Sequence, residues 1–429
     1  MKLAVFGLWH LGTVTAACTA AAGVRTVGID LDRERITRLA AGEPPLYEPG
    51  LSDLVRSGIA AGTLTFSADV ASVSDADIIW ICHDTPVDEE DRADVDAVRK
   101  QAESLFVHLK DGAVVLVSAQ LPVGSVASLE RGFAPQARGR TVAFACSPEN
   151  LRLGRAIEVF QSPGRIIVGV RDGPAREILE PLLQKFCRTL IWMSVESAEM
   201  VKHGLNSFLA ASVTFANELA VICERVSADA SEVEQGLRSD PRVGPGAYVR
   251  AGPAFAGGTL ARDVNFLRTL AQEHRLTLPV MDGIIASNRA HSQWALGHLR
   301  HALQPLSGRI IGVLGLAYKP GTSALRRSPS IELIRALIHD GARVQAFDPH
   351  VTALPDELQR SVGLGIDARA AATGADALVV ATECPEFRKL TVDDIAGVMA
   401  GRVILDPGRF LDPSFAVDSR LSLISVGRM

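Results

Sequence analysis

The 429-residue sequence lacks most of the marks that assign a chain quickly. Its six cysteines, Cys18, Cys82, Cys146, Cys187, Cys223 and Cys384, are scattered and form no CxxC pair, which argues against a zinc site or a disulfide framework. They are expected mostly as small buried hydrophobes in a reducing cytosol. No basic tract stands out in a chain of formal net charge −5 and pI near 6.1, so nucleic acid is not an expected partner. No uninterrupted apolar stretch approaches the roughly 20 residues a membrane span needs. Met1-Lys2 runs straight into the strand-like Leu3-Ala4-Val5-Phe6 without a signal-peptide pattern. Low-complexity segments and short-period repeats are missing too. The expectation is a cytoplasmic protein with no membrane association.

What is there is a large apolar fraction, 47%, enough for two or three domains. The first region alternates strand-like runs with helical segments. Lys2–Phe6 is followed by a glycine-rich turn, the small-residue helix 13–22, and a second strand, Arg25–Ile29, that closes on Asp30. Further apolar runs lie at 78–82, 113–118, 142–146 and 165–170. Near residue 306 the same order restarts: a strand at 309–314, the turn Gly315-Leu316-Ala317, a helix at 330–339 and a strand, Arg343–Phe347, ending on Asp348, with another at 377–382. Between the two, 199–225 and 279–303 have helical apolar spacing. The expected fold class is α/β: two Rossmann-like domains with parallel sheets joined by a helical dimerisation layer. The expected boundaries are 1–196 for an N-terminal Rossmann domain, 197–303 for the helical layer and 304–429 for a C-terminal Rossmann-like domain. A homodimer follows from that layer.

The turn after the first strand reads Gly7-Leu8-Trp9-His10-Leu11-Gly12. In the dinucleotide fingerprint GxGxxG the first glycine makes the tight turn, the second lets backbone approach the pyrophosphate, and the third lets helix pack on strand. Trp9 replaces the second, so it must turn outward or stack on the cofactor. Asp30 lies 23 residues past Gly7 at the end of the second strand. A carboxylate there accepts from ribose hydroxyls and repels a 2′-phosphate, which favours NAD over NADP.

Several separated motifs resemble the UDP-glucose/GDP-mannose dehydrogenase family across nearly the whole chain. They are Pro45-Leu46-Tyr47-Glu48-Pro49-Gly50-Leu51, Ser147-Pro148-Glu149-Asn150-Leu151-Arg152, Glu199-Met200-Val201-Lys202-His203 with Asn206, and Asp240-Pro241-Arg242-Val243-Gly244. In the last part come Gly315-Leu316-Ala317-Tyr318-Lys319-Pro320, Arg326 with Ser328-Pro329, and Asp348-Pro349. The resemblance implies an enzyme that oxidises the C6 alcohol of a nucleotide-linked sugar in two NAD-dependent steps, the second through a cysteine thioester. It implies a UDP-sugar rather than a GDP-sugar as substrate, and a role in polysaccharide biosynthesis. Lys202 and Asp263 would share the water that takes the alcohol proton, with Asn206 beside it and Glu149 positioning water. Gly7, Trp9, His10, Leu11, Gly12, Asp30, Arg35, Thr85, Gln120 and Arg326 would face the cofactor. Leu151, Arg152, Arg242, Tyr248, Gly252, Phe255 and Lys319 would face the substrate. No metal is implied.

The sequence departs from the family at its reactive positions. The segment Gly252-Pro253-Ala254-Phe255-Ala256-Gly257-Gly258-Thr259-Leu260-Ala261-Arg262-Asp263 aligns without a gap to the family's cysteine segment, and Thr259 falls at the cysteine. A thiol ionises near about pH 8.5, whereas a threonine hydroxyl needs a dedicated base. Ala119-Gln120-Leu121-Pro122-Val123-Gly124-Ser125 has Gln120 where the family has threonine. Cys82-His83-Asp84-Thr85-Pro86 replaces a short small-residue lead into Thr-Pro, and Ser323-Ala324 replaces an acidic pair. Cys146 ends an apolar run, which argues against a relocated nucleophile there. The leading reading is therefore an NAD-dependent oxidoreductase of nucleotide-sugar alcohols without the thioester step. An NAD-retaining epimerase and an inactive sugar-nucleotide-binding homologue are the alternatives. Trp9, Gln120 and Thr259 are all expected to line one cofactor–substrate cleft.

Overall fold

The computed structural model describes residues 1–85, 93–149, 151–256 and 258–428. Pro86, Asn150 and Gly257, each part of an expected motif, lie outside the described residues. The chain forms two compact units, Met1–Leu205 and Asn206–Met429.

In the first unit the described strands are β1 (Lys2–Phe6), β2 (Arg25–Ile29), β3 (Leu64–Ser67), β4 (Ile78–Ile81), β5 (Val114–Val117), β6 (Ala143–Cys146), β7 (Ile166–Gly169) and β8 (Leu190–Met193). They form one sheet in the order β3-β2-β1-β4-β5-β6-β7-β8. The order reverses between β1 and β4, the point where open α/β sheets bind ligands. Side chains alternate along β1: Leu3 and Val5 enter one core, Ala4 and Phe6 the other, and all four are fully buried. A strand covered on both faces must be apolar at every position, which is why β1 reads as a continuous run. Pairings within this sheet are parallel except β6 with β7, which meet antiparallel at the single pair Cys146↔Gly169.

The second unit carries β9 (Ile310–Leu314), β10 (Arg343–Phe347), β11 (Val362–Leu364), β12 (Ala377–Val380), β13 (Val403–Leu405) and β14 (Ser422–Ile424). Their order, β11-β10-β9-β12-β13-β14, repeats the doubly wound pattern with parallel pairings. Helices Ala230–Ser239 and Trp294–Leu303 share a core with this sheet through Ala230, Trp294, Leu296 and Leu299 against Ile311, Val313 and Val344. The helical stretch expected over 279–303 is two helices, Pro279–His291 and Trp294–Leu303, broken at Ser292-Gln293. No glycine or proline marks that break, so apolar spacing ran across it. The long helix is Val195–Val226, 32 residues. Among the described helices it alone is long and apolar enough to cross a membrane by length and composition. It nonetheless buries Glu199, His203, Asn206, Ser207 and Asn217 against protein.

Candidate functional site

The glycine turn is built as the fingerprint requires. Gly7 has φ +91°, and a β-carbon there would stand 2.6 Å from the His83 ring. A β-carbon on Gly12 would stand 1.8 Å from the Gly7 carbonyl oxygen, so only glycine lets helix His10–Ala21 close on β1. Trp9 has φ −74°, outside the left-handed region that favours glycine. The indole turns outward, 39% exposed, and lies under the Arg35 guanidinium at 5.2 Å.

Asp30, at the end of β2, is buried. Its Oδ2 accepts from the Leu8 amide at 2.7 Å and from Arg35 Nη1 at 2.7 Å, and its Oδ1 accepts from the Asp32 amide at 3.0 Å. A carboxylate offers about four acceptor positions, so one remains on Oδ1 for a ribose hydroxyl. A cavity of about 390 Å³ opens here, lined by Gly7, Trp9, Asp30, Arg35, His83 and Gln101 among others. That volume suits part of a dinucleotide, since small-molecule sites span roughly 300–1,000 Å³. Thr85 lines it too, and its hydroxyl donates to the Gln120 carbonyl at 2.6 Å.

A second, narrower cavity in the same unit is lined by Gln120, Cys146, Glu149, Glu199 and Lys202. Lys202 Nζ donates to the Glu149 carbonyl at 2.6 Å and stands 3.8 Å from Glu149 Oε1. Glu149 Oε2 accepts from the Leu151 amide at 2.6 Å. The buried Glu199 carboxylate accepts from the amides of Gly124 and Val126 at 2.7 and 3.0 Å, which fixes the 121–126 turn. Burial raises its pKa, and the two amides oppose that rise. Cys146 is buried and its thiol is pushed well up by burial, so it is no nucleophile at neutral pH.

One further contact joins distant segments of this unit. The buried Glu48 accepts from the Gly154 and Ala156 amides, each at 2.8 Å, and meets His10 Nε2 at 3.0 Å. Burial opposes its ionisation, but the amides and the imidazole outweigh it and hold the carboxylate below the usual range. Glu48 thereby ties the first residue of the cofactor helix to the loop after Arg152, which is itself exposed.

In the second unit, Asp263 is fully buried and accepts from Asn206 Nδ2. Neither Asp263 nor Lys202, whose side chain is 11% exposed, is a surface charge. The Gly252 amide donates to Asn217 Oδ1 at 2.9 Å, and Phe255 exchanges two backbone hydrogen bonds with the Asn288 amide, at 3.0 and 2.9 Å. His291 Nε2 meets the Gly252 carbonyl at 2.8 Å. Thr259 is the exposed first residue of helix Thr259–Glu273, and its hydroxyl makes no hydrogen bond to a described residue. Arg242 is exposed and paired to Asp240 at 2.7 Å, and Tyr248 is exposed. Lys319 Nζ lies 5.3 Å from the Tyr318 ring, and Arg326 is exposed beside Ser328. Among the described residues no His, Cys, Asp or Glu cluster could hold a metal ion.

Trp9 lines the first cavity and Gln120 the second, and Thr85, on the wall of the first, bonds to the Gln120 carbonyl. Trp9 follows β1 and Gln120 follows β5, two strands along the sheet. Thr259 belongs to the other unit. His83, Gln101, Glu48, Glu199, Asn217, Asn288 and His291 were not singled out as site residues by sequence. Glu48 and Glu199 lay in quoted motifs and His83 in a noted departure, but their partners are fixed only by the fold.

Comparison with known proteins agrees with this architecture part by part. Residues 1–187 match the NAD binding domain of the UDP-glucose/GDP-mannose dehydrogenase family, 196–290 its central domain and 312–413 its UDP binding domain. The chain is 33% identical to the UDP-glucose 6-dehydrogenase of Pseudomonas aeruginosa, over 100% of this chain and 98% of that protein. It is 34% identical to the UDP-glucose 6-dehydrogenase of Rhizobium meliloti, over 95% and 94%. Among solved structures, the UDP-glucose dehydrogenase of the archaeon Pyrobaculum islandicum superposes with a TM-score of 0.87 at 29% identity, covering 100% of this chain and 98% of that one. With the glycine turn, Asp30 and the reversed strand order in their places and all three family segments in sequence, the chain belongs to the UDP-glucose/GDP-mannose dehydrogenase family, and NAD is its cofactor.

Proposed function

We propose that this protein oxidises the C6 primary alcohol of a UDP-linked hexose and does so without a cysteine thioester. The observation that carries the reading is the buried Asn206–Asp263 pair, a carboxylate kept out of bulk water with an amide donating to it. Such a group serves as a base only toward a proton delivered into its own site. Lys202 and Asp263 supply the base for the alcohol proton, Asn206 steadies the developing alkoxide, and Glu149 positions water. NAD, when bound, supplies the hydride acceptor. Gly7, Gly12, Asp30 and Arg35 hold it, with Arg326 as a further contact. Gly252 and Phe255, fixed through Asn217 and Asn288, present backbone to the sugar nucleotide, with Arg152, Arg242, Tyr248 and Lys319 as further ligands.

Thr259 stands where the family's cysteine segment aligns, and no described base activates its hydroxyl. The product is either the two-electron aldehyde or a uronic acid reached through the aldehyde hydrate. Purified protein with NAD and UDP-glucose, UDP-N-acetylmannosamine or GDP-mannose tests this. One NADH per sugar supports the two-electron version. Two NADH with uronic acid and no trapped enzyme ester supports the hydrate route, and a covalent enzyme ester refutes both.

The same reading divides the chain at 1–196, 197–303 and 304–429, makes it cytoplasmic, and makes the long helix a dimer seam. Phe208, Phe215 and Ile222 recur every seven residues along that helix and are 67%, 54% and 57% exposed. A seven-residue apolar repeat on one helix face is the seam a second copy of that helix covers.

A further inference from the structure

Two departures from the family pattern, Trp9 and His83, sit on the wall of one cavity, together with Asp30 and Arg35. Asp30 marks the adenosine ribose end of a dinucleotide site. Both substitutions therefore fall at the end of the site remote from the reacting carbon. We propose that Trp9 and His83 are specificity residues for the adenosine half of the dinucleotide, a recognition element that this chain builds from side chains where the fingerprint uses bare backbone.

Trp9 is placed for this by its neighbours. The indole is fixed from one side by the Arg35 guanidinium at 5.2 Å, and Arg35 is fixed in turn by Asp30 at 2.7 Å. A large π-face in a wall next to a ribose-binding carboxylate suits a purine nucleoside, because aromatic faces stack on any base. Phosphate alone would need only amides and cations.

His83 is placed by packing. Its ring stands edge-on to Phe6, with centroids 4.5 Å apart, and presses on the bare α-carbon of Gly7. Nε2 is buried and has no hydrogen-bond partner. Burial pushes its pKa down to about 4, so the ring is a neutral imidazole at physiological pH. A buried ring nitrogen left without a partner is destabilising unless something arrives to satisfy it. A neutral ring meets a hydroxyl or a purine nitrogen, without the charge that would attract the extra phosphate of NADP. An aliphatic side chain at this position would leave no unpartnered ring nitrogen.

The test uses binding rather than turnover, with NAD and with ADP-ribose, which lacks the nicotinamide. Of the four tryptophans, Trp80 and Trp294 are buried and Trp192 is half-buried, so the exposed Trp9 dominates any fluorescence response at this cavity. Both ligands should quench the wild-type protein. Trp9→Phe should keep affinity within about twofold and lose the quench. Trp9→Gly, which restores the family glycine, should weaken NAD and ADP-ribose alike by about fivefold to tenfold, the worth of one aromatic–base contact at its lower end. His83→Val should weaken both by about threefold to tenfold, as for one neutral hydrogen bond, while His83→Gln recovers part of the loss. Calorimetry gives the affinities and circular dichroism checks each fold. Unchanged or tighter binding in Trp9→Gly, unchanged binding in His83→Val, a quench surviving in Trp9→Phe, or a loss confined to NAD would each overturn the proposal.

Discussion

Thr259→Cys is the perturbation that bears most directly on the chemistry. Residue 259 opens a 15-residue helix with no acidic residue in its first turn, so the local field favours an anion there. A helix N-terminus stabilises a nearby negative charge by about 0.3–1 kcal/mol. At 1.36 kcal/mol per pKa unit this lowers a thiol from about 8.5 to roughly 7.8–8.3. At pH 8 the thiolate fraction then rises from about a quarter to between about a third and about three-fifths. Threonine draws nothing comparable from the same field, because its hydroxyl is not ionised near neutral pH. The introduced thiol can be read without interference. All six native cysteines are buried, whereas residue 259 is exposed, so iodoacetamide should label the variant at one site. The pH dependence of that labelling gives the thiol pKa. The variant should then form an enzyme-bound ester that denaturing mass spectrometry detects, and should release two NADH per UDP-sugar. A thiol of lowered pKa that labels readily, with sugar substrate turned over but no ester and no extra NADH, would refute the claim that the missing sulfur is what separates this chain from thioester chemistry.

Other expected outcomes follow from the same geometry. Glu48→Gln keeps one acceptor oxygen but turns an amide donor toward donors, so the first unit should lose about 2–4 kcal/mol against thermal or urea unfolding. Because the folded carboxylate's pKa is depressed, its contribution is complete above its unfolded pKa of about 4.3 and is lost as pH falls through the lower folded value. The wild type should show that acid-side loss and Glu48→Gln should not, in melting curves taken down the pH scale. Gly12→Ala should abolish NAD binding in calorimetry, since its β-carbon would meet backbone at 1.8 Å and nothing there can yield cheaply. Phe215→Glu, in the middle of the exposed seam, should shift light-scattering mass from dimer to monomer at micromolar concentration without unfolding the chain.

How far the sequence could be read depends on how locally each feature is determined. β1, β4, β5 and β9 were legible because a strand buried on both faces cannot be anything but apolar. β3, β8, β11, β13 and β14 were not, because each has only three or four residues and most are partly exposed, too short for periodicity to register. The site divides the same way. Gly7, Gly12 and Asp30 follow from spacing along one strand–turn–helix unit. Glu48 and Glu199 do not, because their amide partners lie 106–108 and 73–75 residues away.

The two Rossmann-like sheets open alike and diverge at one detail that decides what each can hold. Asp30 and Asp348 both end a second strand and both accept from the turn before them. Asp348 Oδ2 takes the amides of Leu316 and Ala317, at 2.7 and 3.0 Å. From its turn Asp30 Oδ2 takes one amide, that of Leu8, its other partner being Arg35, and no described residue accepts from the Trp9 amide. In the first unit the helix starts at once, at His10, and no side chain caps its first turn, so its amides remain open to a pyrophosphate. In the second unit the helix starts only at Pro329, which has no amide hydrogen, and the Ser328 hydroxyl already accepts from Ser330. Its N-terminus is closed to an anion. A diphosphate in the second unit must therefore be met by side chains of the intervening loop, Lys319 among them, and its affinity should fall steeply with salt where NAD affinity in the first unit falls less. Parallel titrations of UDP and of NAD between 50 and 500 mM salt separate the two modes. Equal salt dependence would refute this account of how one fold serves two ligands.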